Sequence, residues 1–237
     1  MARSEGRGGV TSRAVRIPMD GVALEGDLAV PDGARGVVVF AHGSGSSRFS
    51  PRNRAVAGEL QAAGFATLLV DLLTAEEERI EAATRHLRFD IALLAGRLET
   101  AAEWVARDPA TRGLPLGYFG ASTGAGAALV AAARRPAAVR AVVSRGGRPD
   151  LAGAALADVR APTLLVVGGD DTAVIAMNRS AEARMRCVTR LEIVPGATHL
   201  FEESGTLEQV ARLARDWFER HIAAGVPPTQ PSAGAVS

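Results

Sequence analysis

Leu116-Gly117-Tyr118-Phe119-Gly120-Ala121-Ser122-Thr123-Gly124-Ala125-Gly126 decides how the rest of the chain is read. Residues 116–119 form a short continuous apolar run, as expected of a strand buried on both faces. A helical pattern of small residues runs from Thr123 through Arg134 and is closed by Pro136. Between them stands G-x-S-x-G, in the strand–turn–helix setting that gives the pattern meaning. A serine at the apex of so tight a turn must take up strained backbone angles. Glycines at 120 and 124 remove side chains that would collide with the neighbouring strand and helix. At a helix start, the Thr123 N–H also points where an oxyanion would develop. Ser122 is therefore the candidate nucleophile and Thr123 the first oxyanion donor.

The same grammar repeats on either side. Continuous apolar runs at 37–41, 67–72, 139–143, 163–167 and 191–194 predict further buried parallel strands. Helical patterns fall between them. Val56 and Leu60 lead to a stop at Gly64. Phe89, Leu93, Leu94, Leu98, Ala101 and Trp104 trace one face of a longer helix, and Leu207, Val210, Leu213, Ala214, Trp217 and Phe218 another. Ahead of these, Val15, Ile17 and Met19 alternate, as do Val22, Leu24, Leu28 and Val30 beyond the turn signal Asp20-Gly21. The expected fold class is α/β: a doubly wound, mostly parallel sheet opened by an N-terminal antiparallel hairpin. Such sheets bind ligands at the carboxyl ends of their strands.

A serine hydroxyl is a poor nucleophile until a base takes its proton. Of the four histidines, His86 lies in the charged stretch 76–88, expected to begin a helix on the solvent side although placed where it would overhang the site. His221 lies on or beside the apolar stripe of the last helix, and His42 in the turn after strand 37–41. His199 follows Pro195-Gly196-Ala197-Thr198, in the loop after the last strand, and is the one able to reach Ser122. The base needs a carboxylate to fix its tautomer. Gly168-Gly169-Asp170-Asp171 follows strand 163–167, and either aspartate could serve, Asp170 being the more natural turn or helix-cap residue. The order Ser, Asp, His is that of the nucleophile-elbow hydrolases. For the second oxyanion donor, His42-Gly43-Ser44-Gly45-Ser46-Ser47 can turn the Ser44 N–H inward; no G-x-x-x-x-G-K-[ST] spacing is present. Arg145 and Arg148, beyond strand 139–143, are placed either to pair with a substrate carboxylate at the pocket rim or to lie solvated on a surface turn.

Taken together, His42-Gly43-Ser44-Gly45, Gly120-Ala121-Ser122-Thr123-Gly124, Gly168-Gly169-Asp170-Asp171-Thr172-Ala173-Val174 and Gly196-Ala197-Thr198-His199 resemble the α/β-hydrolase superfamily, over roughly residues 14–222. Within it the chain is similar to the small branch around the dienelactone hydrolases. The resemblance implies the acid pattern G-x-x-D-x-x-V, which selects Asp171, and an oxyanion hole completed by the Ser44 loop. Dienelactone hydrolases proper carry cysteine at the elbow, and Ser122 here leans toward ordinary carboxylic esters. Cys187 lies away from the elbow and is read as inert. Many relatives insert a cap after the strand that here is 139–143, but 144–161 leaves too little chain, so no cap domain and an open pocket are expected.

Composition narrows the rest. A net charge of +1, with no lysine among the 27 basic residues, gives no field suited to nucleic acid. A single cysteine excludes an internal disulfide. No apolar run approaches a membrane span, and the polar N-terminus lacks a signal-peptide core, so a cytoplasmic protein without a membrane partner is expected. No zinc-site or dinucleotide spacing appears, so neither metal nor cofactor is expected. Residues 1–12 and 224–237 read as flexible tails around one hydrolase domain, 13–223. The function expected is hydrolysis of small-molecule carboxylic esters through an acyl-enzyme on Ser122, with thioesterase, peptidase, acyltransferase or inactive binding-module readings behind it.

Overall fold

The computed structural model describes residues 9–19 and 21–222. Eight strands form one sheet in the order β1-β2-β4-β3-β5-β6-β7-β8. They are β1 (Val10–Met19), β2 (Val22–Pro31), β3 (Val37–Ala41), β4 (Ala66–Val70), β5 (Leu116–Ala121), β6 (Val139–Arg145), β7 (Thr163–Gly168) and β8 (Thr189–Val194). β1 pairs antiparallel with β2, and β2 with β4; every later pairing is parallel. Met19 pairs with Val22, as the expected two-residue turn requires, and Gly21 takes φ +76° there; Asp20 lies outside the described residues.

The expected tail 1–12 is too long, because β1 already begins at Val10, opposite Pro31. Residues 10–12 are exposed and join the sheet through backbone pairing, which leaves no apolar signature to read. The rest of that tail and all of 224–237 lie outside the described residues.

The helices are α1 (Pro51–Ala62), α2 (Ala75–Thr84), α3 (Ile91–Arg107), α4 (Thr123–Arg134), α5 (Thr172–Glu182) and α6 (Thr206–His221). Strand periodicity sorts them into two layers. Val37, Val39 and Ala41 point into a core shared with α3 and α4, while Val38 and Phe40 point into one shared with α1 and α6. No cap domain follows β6; a 3-10 segment at Pro149–Asp158 packs on α4 instead. No helix among the described residues is long and apolar enough to cross a membrane.

Candidate active site

Ser122 stands between β5 and α4 at φ +50°, ψ −122°, a region that non-glycine residues rarely enter. It is the N-cap of α4, yet its side chain makes no capping bond, unlike the hydroxyl that ordinarily closes a helix start. The turn closes this tightly because of its two glycines. A Cβ at Gly120 would lie 2.4 Å from Ala125 Cα, and one at Gly124 would lie 2.4 Å from the carbonyl oxygens of both Ala41 and His42. Backbone bonds hold the apex: the Ser122 N–H donates to Arg145 at 3.2 Å, and the Ser122 carbonyl accepts from Arg148 at 3.0 Å.

Asp171, after β7, meets His199, after β8. The His199 Nδ1 lies 2.6 Å from Asp171 Oδ2, a short charge-assisted bond. The aspartate is mostly covered, with 16% of its side chain exposed against 39% for the histidine. Asp171 therefore orients the imidazole; it, not Asp170, stands at the N-cap position of α5, though its side chain makes no capping bond. Asp170 is exposed and uses its backbone N–H on Ala197 at 3.0 Å. A Cβ at Gly168 would come within 2.3 Å of the Ala197 carbonyl, so the aspartate and histidine loops are in close contact. A Cβ at Gly146, beside the carbonyl that holds Ser122, would lie 3.5 Å from His199 Cε1. The imidazole thus stands over the strand end that pins the serine.

Two residues outside the motifs hold the His199 loop. Glu203 accepts from the Thr198 N–H at 3.1 Å and the Thr198 hydroxyl at 2.6 Å, and that hydroxyl bond holds its carboxyl below the usual range. Phe201 takes φ +57° with its ring buried in the α1–α6 core.

The loop after β3, where the second oxyanion donor is expected, is fixed by His42. Its Nε2 accepts the Leu72 N–H at 3.0 Å, so Nδ1 carries the proton and donates to the Gly43 carbonyl at 2.9 Å. The Ser44 N–H faces the elbow but is occupied: it donates to the Thr123 hydroxyl at 3.0 Å, which also lies 3.0 Å from the Ser44 hydroxyl. The Thr123 N–H, in the first turn of α4, has no intrahelical acceptor. An oxyanion would engage both amides by displacing the Thr123 hydroxyl.

The charged stretch 76–88 does overhang this loop. Glu78 and Glu81 of α2, with Arg88, line a narrow recess together with His42, Gly43, Ser44, Gly45 and Thr123. Burial raises the Glu78 carboxyl above its ordinary range. A capping box between Thr74 and Glu77 starts α2, and ion pairs from Glu77 to Arg97 and from Glu81 to Arg88 tie both its ends down. The expected solvent-side helix is present, with Glu81 its one buried residue, and its inner edge borders the recess.

The two candidate arginines part company. Arg148 touches the elbow through its backbone N–H, while its guanidinium fork is engaged by Asp150 at 2.8 and 2.9 Å. Arg145 is no solvated turn residue: it is 7% exposed, on the sheet face that carries Ala141 and Val143. His86 is exposed and meets only Thr84. His221 packs on Trp217, ring centroids 4.3 Å apart. Among the described residues, no group of three or more His, Cys, Asp or Glu could hold a metal ion.

Known proteins share this fold. A crystal structure of a dienelactone hydrolase from Anabaena variabilis superposes with a TM-score of 0.88 at 60% identity, covering 90% of this chain and 99% of that one. The protein Est1E from Butyrivibrio proteoclasticus shares the fold at 17% identity, with a TM-score of 0.74 over 89% of this chain and 99% of its own. Two Mycobacterium tuberculosis proteins, whose names propose a phosphoribosyl transferase, are 61% identical over 208 residues, 88% of this chain. The chain spans only 46% of their length. The dienelactone hydrolase pattern matches residues 24–223, and the chain belongs to the dienelactone hydrolase family.

Proposed function

We propose that the protein is a serine hydrolase that cleaves carboxylic esters of small, accessible substrates through an acyl-enzyme on Ser122. The observation that carries the reading is the 2.6 Å bond between His199 Nδ1 and Asp171. With Nδ1 as donor, the other ring nitrogen keeps a free lone pair for the serine proton. Ser122 attacks the ester carbonyl as His199 takes that proton, and the Thr123 and Ser44 amides hold the oxyanion, each contributing about 3 kcal/mol to the transition state. His199 then protonates the leaving alcohol and activates the water that clears the acyl group. The absence of a cap domain supports small, exposed esters over long lipids.

The Mycobacterium relatives extend well beyond the shared stretch, this chain spanning 46% of their length, so the transferase in their names is not carried over to this chain. The test is p-nitrophenyl ester hydrolysis across acyl lengths, beside Ser122→Ala and a fluorophosphonate probe. Wild-type turnover that falls at least 1000-fold in the variant, roughly the loss expected when a triad member goes, supports the reading. Absence of both turnover and labelling in the wild type would overturn it.

A further inference from the structure

The stretch Arg145-Gly146-Gly147-Arg148, at the carboxyl end of β6, meets Ser122, His199 and the helix that Asp171 opens. Ser122 is bracketed at both ends of this loop: its N–H donates to the Arg145 carbonyl at 3.2 Å and its carbonyl accepts the Arg148 N–H at 3.0 Å. Gly146, at φ +50°, lies beside His199; a Cβ there would stand 3.1 Å from the His199 carbonyl oxygen and 3.5 Å from its Cε1. The Gly146 N–H donates at 2.8 Å to Val166 of β7, the strand that leads to Asp171. Gly147 is wedged against α4, where a Cβ would come within 2.7 Å of Ala125 Cβ. Its carbonyl faces α5.

That carbonyl meets Asn178, a side chain with 0% of its surface exposed. Asn178 Nδ2 carries two protons, and both are used. One goes to the Gly147 carbonyl at 3.0 Å, the other to the Val174 carbonyl at 2.8 Å, in the first turn of α5. A single amide thus clamps the loop that holds Ser122 to the helix turn that follows Asp171. Packing alone does not call for an amide here. Its companions on the buried face are Val174 and Ala181, and its Oδ1 has no partner among the described residues, a cost that a leucine would avoid. The Val174 carbonyl, moreover, already belongs to the helix ladder. What the amide adds is the bond to Gly147. Gly146 and Gly147 have no side chains with which to brace the loop, so its stiffness comes from backbone bonds and from Asn178.

We infer that Asn178 is a positioning residue for ester hydrolysis, fixing the Ser122 loop and the Asp171 helix in one mutual register. The inference rests on the serine-hydrolase reading above; Asn178 acts through Gly147 and touches no reacting atom. Serine and imidazole must come within hydrogen-bond reach at the moment of attack, and a displacement of about 1 Å can cost about 100-fold in rate.

Two variants test this. Asn178→Leu keeps the bulk and loses both bonds. Asn178→Ser is the narrower cut: its hydroxyl can back-bond the Val174 carbonyl, one turn earlier, and stops short of Gly147. Stopped-flow release of p-nitrophenol from p-nitrophenyl acetate separates the acylation rate constant from substrate affinity. In both variants acylation is expected to fall at least about tenfold, with affinity within about twofold of wild type. The second readout needs no substrate. The His199 Nδ1 proton, in its bond to Asp171, is recorded by NMR of the 15N-labelled protein and is expected to move upfield or broaden. A side chain that only packs would lower the melting temperature and leave both readouts alone. Acylation within twofold of wild type, a loss carried by affinity alone, or an unchanged Nδ1 resonance would overturn the proposal. Should Asn178→Leu fail to fold by circular dichroism, Asn178→Ser decides on the same terms. If the wild type cleaves no ester, the hydrolase reading falls and the resonance judges the coupling alone: a shift in Asn178→Ser supports it, and none overturns it.

Discussion

Asp171→Asn isolates the contribution of one carboxylate. The substitution keeps the side chain's shape and removes its charge, leaving His199 without the 2.6 Å charge-assisted bond to Nδ1. With charge centres about 4 Å apart, an effective dielectric near 20 gives about 4 kcal/mol between carboxylate and imidazolium. His199 keeps 39% of its side chain exposed, so solvent screening reduces this to about 2 kcal/mol, or about 30-fold in rate. A second loss follows from geometry. The amide can donate to Nδ1, which moves the imidazole proton to the other nitrogen, where it blocks proton transfer from Ser122. Together these should lower the acylation rate by about 100- to 10,000-fold, the upper end matching the same change in a serine protease. Pre-steady-state release of p-nitrophenol measures acylation directly, and thermal melting confirms that the fold survives. Asp170→Asn is the control and should lose less than about threefold, because that side chain is exposed. A loss below tenfold in Asp171→Asn, or equal losses in the two variants, would refute the reasoning.

Further expectations concern the frame around the triad. Replacing His42 with alanine strands the Leu72 N–H, at a cost of about 1–3 kcal/mol by urea denaturation, with kcat falling about tenfold as the oxyanion loop loosens. In Gly124→Ala the new Cβ meets two backbone oxygens at 2.4 Å, so stability should drop by about 3 kcal/mol or more; a melting temperature within two degrees of wild type would contradict the elbow packing. The Arg97 hydrogen bond lowers the Glu77 pKa from 4.5 to about 2. A carboxyl depressed on folding contributes stability above pH 4.5 that is lost as pH falls toward 2. Glu77→Gln should therefore cost about 1–2 kcal/mol at pH 7, discounted for its partial exposure, and flatten the acid limb of the stability curve.

The parallel strands were legible because both their faces are buried, which leaves unbroken apolar runs. Their carboxyl ends were not. Gly120-Ala121, Ser144-Arg145 and Gly168 extend β5, β6 and β7 beyond those runs, since the residues that build the site are glycine or polar. α5 presents Val174, Asn178 and Ala181 to the interior, and the asparagine interrupts the stripe an apolar reading follows. Residue chemistry alone left Asp170 and Asp171 equivalent; one step along the chain reverses which way the carboxylate faces. Glu203 carries no periodic signal and acts through a loop contact. Arg145 was half readable: β-alternation from Ala141 and Val143 puts it indoors, whereas its charge argued for solvent.

The helix α2 has a consequence for how this scaffold can change. Ser122, His199 and Asp171 all hang from the sheet, whereas the roof over the Gly43–Gly45 loop is one ten-residue helix stapled at its ends by Glu77 and Glu81. Roof and catalytic frame are therefore separable modules. A graft that keeps those two glutamates, with Arg97 and Arg88 to receive them, can carry a new residue at 78 across the recess without disturbing the sheet-borne site. Glu78, at the recess wall, is the natural position at which such a library would begin.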